Sequence, residues 1–496
     1  MTYRYVHETQ MFRTIFDAKT LPLWRKYTIG SKGLHVMNQW RVGVLLCLLG
    51  CAHAPERPAP TQSTRASAHY TVTISDNFGG AKVRVCLEGA TVRALVPIGD
   101  SAGHELRGAW IEGDTLDISR GWIRLPQSLH ASCVDYETRF GTPMLRANDS
   151  AAIIVSQAQW LWRPDPFPRE LDTSIRFVLP ADQQVSLPWP HSDAVYFPDD
   201  SAFFAGTFGV FGSFDRQAFS AAGTSIDVAR LGARPSDEHI RRWLSRAVQA
   251  TASAGDRFPR KHLHFIIAPQ QDQEMAVVFG MVRRGGGSSV LLLSSPDATV
   301  EQLEADWVAV HELSHLWLPP LYSKDRWISE GVATYLQEVL RARCGFQTSE
   351  RAWTRLQAGF ERGRRSGTGR RLASESRNMN RTGAYHRVYW AGAAFALEAD
   401  VRLRKSSKGE MTLLRAISEA QHIWGAQALP VGAAVLLKAL QEASGAGFIE
   451  ELGAKYAASS DFPSIPYVDS PEYQQIRAQI MSRAERACGI NAESSR

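Results

Sequence analysis

The sequence predicts an α+β protein: an antiparallel β domain at the N-terminal end, a mixed domain in the middle and a helical C-terminal part. Three observations predict it. Between residues 69 and 197, short β-branched runs alternate with Gly, Asp, Asn and Pro turns; from Ser236 on, apolar residues recur at helical spacing around two buried-strand runs; beyond about residue 350 the pattern is mostly helical. At 496 residues the chain is long enough for two or three domains, and 44% hydrophobic with 21% charged residues is the composition of a globular soluble protein.

The first 68 residues read as address rather than fold. The formal charge of +6 does not indicate a nucleic-acid partner, because residues 1 to 50 hold seven Lys/Arg against two acids and leave the rest nearly neutral. Within them, Arg41 precedes an apolar run, Val42 to Leu49, far shorter than the ~20 residues a bilayer span needs. The run is a signal-peptide core, with Met37 as the expected true start and residues 1 to 36 as an over-called leader. It ends in Leu48-Leu49-Gly50-Cys51, which resembles a bacterial lipobox, although Leu49 is bulky for its position. The resemblance implies lipidation of Cys51, and Ala52 after it favours the outer membrane; a cleaved, unlipidated secretory signal is the alternative. Residues 51 to 68, rich in Pro, Ala and Ser, fit a flexible tether. In an oxidising compartment Cys86 with Cys133, and Cys344 with Cys488, are the first pairings expected, although four cysteines allow three connectivities.

The β domain is expected over 69 to 197, from runs such as His69–Ile74, Lys82–Gly89, Thr115–Ser119, Ala151–Ser156 and Ser174–Pro180. A Gly/Phe-rich passage, Phe203 to Asp215, reads as a joint. The middle domain, 198 to 370, opens with a helix capped by Ser236, whose Ile240, Trp243, Leu244, Ala247 and Val248 form one face. The strand runs His262–Pro269 and Ser288–Ser295 follow, and the helical region occupies 371 to 496.

The chemistry lies in "HELSHLWLPPLYSKDRWISEG", His311 to Gly331. A capping box at Thr299 and Gln302 begins a helix that Pro319-Pro320 ends. His311 and His315 are four apart, so both imidazoles leave one face and can share a cation. Glu312 is rotated by roughly 100° from His311, beside that face, where it can reach a metal-activated water as general base. A hydrolytic zinc needs a third protein ligand and an open position. Glu330, separated from His315 by fourteen residues, is the candidate, near the start of a second helix that packs through Val332, Leu336, Val339 and Leu340. A helix-face pair of packing histidines is the bland alternative, and it leaves the downstream glutamate unexplained.

"HELSHLW" followed by "WISEGVATYL" resembles the gluzincin metallopeptidases, in particular the aminopeptidase N and leukotriene hydrolase superfamily and the related glycyl aminopeptidases. The resemblance covers roughly residues 262 to 404 well and implies a thermolysin-like catalytic domain, one Zn2+ held by His311, His315 and Glu330, and a peptide substrate. "RVYWAGAAFALEADVRLR" resembles the family's segment whose tyrosine stabilises the oxyanion, which maps to Tyr389 with Gly392 and Ala393 in register and Ala391 in place of a lysine; Tyr385 and His386 are rivals.

One departure matters. Where the family's aminopeptidases carry a glutamate for the substrate amine, "FGMVRRGGGSSVLLL" has Val282 and Arg283, which argues against simple aminopeptidase action. Gly280, Met281, Arg283, Arg284 and Ser289 are the candidate substrate residues, with the two arginines either facing an anion or standing as solvated loop residues, and the strand from Ser289 pairing with an extended peptide. Five arginines between Arg362 and Arg371 form a solvated loop or an attractor of acidic material, and no aromatic interleaving points to nucleic acid. The expected function is an envelope zinc peptidase. A non-peptide hydrolase on the same site, or a tethered zinc-containing peptide binder, are the alternatives, and the intact Glu312 counts against the binder.

Overall fold

A computed structural model of the chain describes residues 65–484 and 488, apart from 100–101, 142–144, 147–151, 233, 256, 273 and 426. Cys51, the expected signal peptide and all but the end of the expected tether lie outside the described residues. That end is not tether: Ala66–Ile74 is already the first strand, β1.

The N-terminal part is built on one large sheet. Its long strands are β2 (Gly80–Pro97) and β3 (Trp122–Arg139), paired antiparallel, with β1 on the other side of β2. Residues Tyr70, Val72, Val83, Val85, Val134 and Tyr136 are buried along them, the alternation expected of strands with one face on a core. Cys86 and Cys133 stand opposite each other in the register and form a disulfide. The expectation of a wholly antiparallel domain needs correction, because β1 also pairs in parallel with a strand arriving from about a hundred residues on. That strand, β5 (Leu171–Val178), follows β4 (Ile153–Ser156). A smaller sheet joins β6 (Gln184–Ser186) to β7 (Phe208–Gly212) and β7 to β4. The Gly/Phe-rich passage read as a joint therefore contains a paired strand.

The middle sheet comprises β8 (Asp215–Ala221), β9 (Thr224–Arg230), β10 (His262–Pro269), β11 (Val277–Arg283) and β12 (Ser289–Ser294), in the order β8-β9-β10-β12-β11. β10 is parallel to both its neighbours and buried on both faces, which accounts for its continuous apolar run. Helix α1 (Asp237–Ala252) is capped by Ser236 and buries Ile240, Trp243, Leu244, Ala247 and Val248 as its spacing predicts. The two domains meet through packing of Phe208 and Ile154 on Leu291 and Phe279. They also meet through polar ties: Ser186 Oγ to His264 Nε2 at 2.9 Å, and Trp189 Nε1–H to the Gly285 carbonyl at 2.8 Å.

Helices complete the core: α2 (Val300–Glu304), α3 (Val308–Ser314), α4 (Arg326–Arg343), α5 (Ser349–Arg365), α6 (Leu372–Thr382) and α7 (Tyr385–Ser406). Shorter helices follow to residue 480. α4 and α7 are buried for nearly their whole length and pack against each other. The segment from 371 thus shares one core with the middle sheet rather than standing apart. A second disulfide, Cys344–Cys488, ties the end of α4 to the C-terminal end of the chain. No described helix is long and apolar enough to cross a membrane.

Candidate metal centre

The expected single helix from Thr299 to Leu318 is two helices. The Thr299–Gln302 capping box starts α2, but α2 stops at Glu304. The reason is Asp306, whose carboxylate accepts the N–H groups of Val308 and Ala309 at 3.0 and 2.9 Å and so begins α3 afresh. α3 carries His311 and runs into a 3-10 turn, His315–Trp317, which carries the second histidine. Their rings lie 4.9 Å apart and nearly perpendicular, His311 buried and His315 partly buried.

Glu330, one turn into α4, closes the group. Its Oε2 is 3.4 Å from His311 Nε2 and 3.4 Å from His315 Nε2. Donors at about 2.0–2.1 Å from a tetrahedral zinc stand about 3.3–3.4 Å from one another, so the Glu330 oxygen stands at the separation from each histidine nitrogen that two corners of a zinc tetrahedron would have. Among the described residues, His311, His315 and Glu330 form a set whose donor atoms all lie within 4.8 Å of one another. His311 Nδ1 meets Gln337 Oε1 at 2.8 Å. An amide oxygen can only accept, so Nδ1 carries the proton and Nε2 is left with its lone pair towards the centre. Gln337 is held in turn, its amide donating to Glu338 at 3.1 Å. Burial would raise Glu330, but His315 and His311, when their rings are protonated and charged, hold it well below the usual carboxylate range.

Glu312 lies on the adjacent face of α3. It is buried against Gly280 of β11, where a Cβ would come within 2.5 Å of its Cγ. The next residues of β11 hold its head: the Val282 N–H donates to its carboxylate. Burial pushes Glu312 upward, and His315 and His311 pull the other way. Gly280 is thus a contact of Glu312, which its place in the sequence motif did not disclose.

Tyr389 reaches the same space from α7. Its ring lies parallel to that of His311, 6.0 Å away, and its hydroxyl donates to Glu330. Burial raises it well above the ordinary phenol value, and the charges of Glu330 and Glu312 add to this. The approach is set by two glycines. A Cβ on Gly331 of α4 would lie 2.2 Å from the Gly392 Cα, and one on Gly392 of α7 would lie 2.0 Å from the Trp327 carbonyl oxygen. Tyr385, one turn earlier, has its hydroxyl 3.5 Å from Asn380 Oδ1.

The expected substrate residues need two corrections. β12, expected to pair with a peptide, is an interior strand between β10 and β11, and Ser289 is fully buried with its hydroxyl 3.3 Å from His264. The free edge beside the centre belongs to β11. Arg284 is not directed at a ligand: its Nη2 donates to the carbonyls of His315 and Leu318, at 2.6 and 3.2 Å, closing the end of the 3-10 turn that carries His315. Met281 faces the other domain, packing near Phe208. Arg283 stacks on the Phe208 ring at 5.2 Å. In the arginine-rich segment, Arg362 covers Trp390, Arg364 covers Phe462 and Arg370 approaches Glu375. That segment packs on α7 and its neighbours rather than at the centre.

Comparison with known proteins bears on the fold. No protein-family model matches the sequence, and no curated protein matches it either. Among solved structures, the aminopeptidase N family protein from Idiomarina loihiensis is similar over 82% of this chain and 78% of that one, with a TM-score of 0.62 and 19% identity. The M1 zinc metallopeptidase from Deinococcus radiodurans is similar over 81% of this chain and 95% of that one, with a TM-score of 0.50 and 16% identity. The fold is that of the M1 zinc metallopeptidases. The M1 likeness covers the β domain, the mixed sheet and the helices together, because four-fifths of the chain enters each superposition.

Proposed function

We propose that the chain is a zinc-dependent metallopeptidase. The observation that carries it is the convergence of His311, His315 and Glu330, with donor atoms within 4.8 Å of one another, and a held carboxylate, Glu312, beside them. The M1 fold supports it, and the Deinococcus radiodurans M1 zinc metallopeptidase has been solved, as a mutant, with a Tyr-Ser-Ala substrate bound. Zinc, when bound, lowers the pKa of a water and polarises the scissile carbonyl. Glu312 takes the proton from the attacking water and returns it to the leaving amine. Val282 N–H and the close wall at Gly280 keep that carboxylate from swinging away. The Tyr389 O–H, aimed into the centre from α7, donates to the oxyanion as charge develops there. With Val282 in place of a carboxylate, no acidic group on β11 is available for a substrate ammonium, so simple aminopeptidase action is disfavoured. The lipobox-like Leu48 to Cys51 supports a lipid-anchored protein of the bacterial cell envelope, with the outer membrane favoured.

The test is a mixed peptide library incubated with the zinc-loaded chain from Ala52 onward and with its Glu312→Gln variant, read by mass spectrometry. Loss of a positioned general base costs about 10²–10⁴-fold, so products formed by the wild type are expected to vanish in the variant. No products from either, with zinc bound in both, would overturn the peptidase reading.

A further inference from the structure

The side of α7 turned away from the proposed centre carries a second set of charged groups. Arg387, Ala391, Glu398 and Arg402 follow one another at intervals of four, seven and four residues, so they form one stripe along the helix. Tyr389, two residues after Arg387, is turned by roughly 200° from that stripe. The stripe meets the helix Ile449–Ala458 and the segment after it, and between them lies a cavity of about 340 Å³. Arg387, Arg402, Lys455, Ser464 and Tyr467 are on its wall. Arg387 is 1% exposed, and its Nη2 donates to the carbonyls of Ser460 and Asp461 at 3.3 and 2.8 Å. The Phe462 ring lies 5.6 Å from the guanidinium. Its Nε and Nη1 have no hydrogen-bond partner, and no carboxylate among the described residues forms an ion pair with it. Burial lowers Arg387 from the ordinary guanidinium value, against the charges of Glu375 and Asp461. Those carboxylates and the third nearby are otherwise engaged or open to solvent. Glu375 accepts from Thr368 and Thr382, Glu398 accepts from Arg402 and Tyr456, and Asp461 is exposed. Lys455, also exposed, has no ion pair among the described residues.

A guanidinium cannot shed its charge to suit a buried place, and a buried charge without an ion partner is costly. Water at the cavity wall would satisfy its N–H groups but not its charge; an anion satisfies both. The size of the cavity favours an anion of several atoms over a halide. The Lys455 ammonium and the hydroxyls of Ser464 and Tyr467 offer donors to more than one oxygen. We propose that this cavity is a second binding site, for a small oxyanion, a carboxylate or a phosphate, whose charge is met by Arg387 and Lys455. The site goes beyond the peptidase reading and does not depend on it, since neither the metal nor a cleavable bond takes part.

The experiment is calorimetric titration of the zinc-loaded chain from Ala52 onward with sodium phosphate and with sodium succinate, against sodium chloride at the same ionic strength. Arg387→Gln and Lys455→Gln are titrated beside it, with thermal melts in chloride to confirm folding. At least one of the two anions is expected to bind saturably, with a Kd of about 1 mM or tighter. Arg387→Gln should weaken that binding by about tenfold or more, the size of one charge-assisted hydrogen bond. Lys455→Gln, a change at an exposed position, should weaken it by about threefold, the size of a solvent-exposed ion pair. If Arg387→Gln does not fold, Lys455→Gln decides alone. Binding of phosphate without succinate assigns the site to a phosphate, the reverse assigns it to a carboxylate, and binding of both assigns it to the shared charge. No saturable binding of either anion overturns the proposal. So does binding that neither substitution weakens, which would belong to the metal position instead.

Discussion

Gln337 has no part in the HExxH pattern, yet it decides which nitrogen of His311 faces the centre. It lies seven residues after Glu330, two helical turns along the same face of α4. The spacing is visible in the sequence, but a neutral amide in a helix carries no signal of its own, and only the 2.8 Å contact with Nδ1 reveals the role. Replacing it by leucine removes the acceptor and leaves a buried N–H unsatisfied. Gln337→Leu is expected to weaken zinc affinity about 10–100-fold, the usual cost of losing such a partner, measured by competition with a chelator. Unchanged affinity in a variant that melts normally would mean that the ring is oriented by packing alone.

Elements differ in how much of their placing can be read from sequence. Helical spacing is local, so the shared face of His311 and His315 and the buried side of α4 were legible, as was the family's tyrosine through its own segment. Asp306 gives no sequence sign of a second helix start, because the apolar stripe through Leu303, Trp307 and Val310 continues across it. Sheet order is not local at all: nothing in Ser289–Leu293 says that it is covered on both sides, and that is why the edge passes to β11. His264 shows what such interior placing does to a titratable group. On β10 it lies between Ser186 of β6 and Ser289 of β12. Burial, with the nearby charge of His262, lowers it to about 3, against the opposing pull of Asp227. Because the unfolded chain takes up that proton near pH 6.5 and the folded one does not, the unfolded state binds more protons between pH 6.5 and about 3. Stability therefore falls as pH falls through this window, by about 1.4 kcal/mol per unit at most, and the term vanishes above it. In His264→Gln, which keeps polar groups for both serines, the loss of stability from pH 7 to pH 5 should shrink by about 2 kcal/mol. Urea unfolding at the two pH values measures it, and an undiminished loss would assign the acid sensitivity elsewhere.

For the whole molecule, the lipobox-like segment and the proposed centre lie far apart along the chain. The described fold begins at Arg65, fourteen residues after Cys51. Cys51→Ala is therefore expected to move the protein from the membrane to the soluble fraction on cell fractionation and to leave peptide cleavage untouched. Retention in the membrane by the variant would remove the lipid-anchor reading. The order in which the centre comes together follows from its sequence separations. The three metal donors fall within positions 311 to 330, whereas Tyr389 comes 59 positions after the last of them. Joining nearby positions costs less chain entropy than joining distant ones, so a folding chain reaches a metal-holding state before it owns a complete catalytic set. Chains halted at that stage would carry zinc and cut nothing, and metal content alone is a poor count of active molecules.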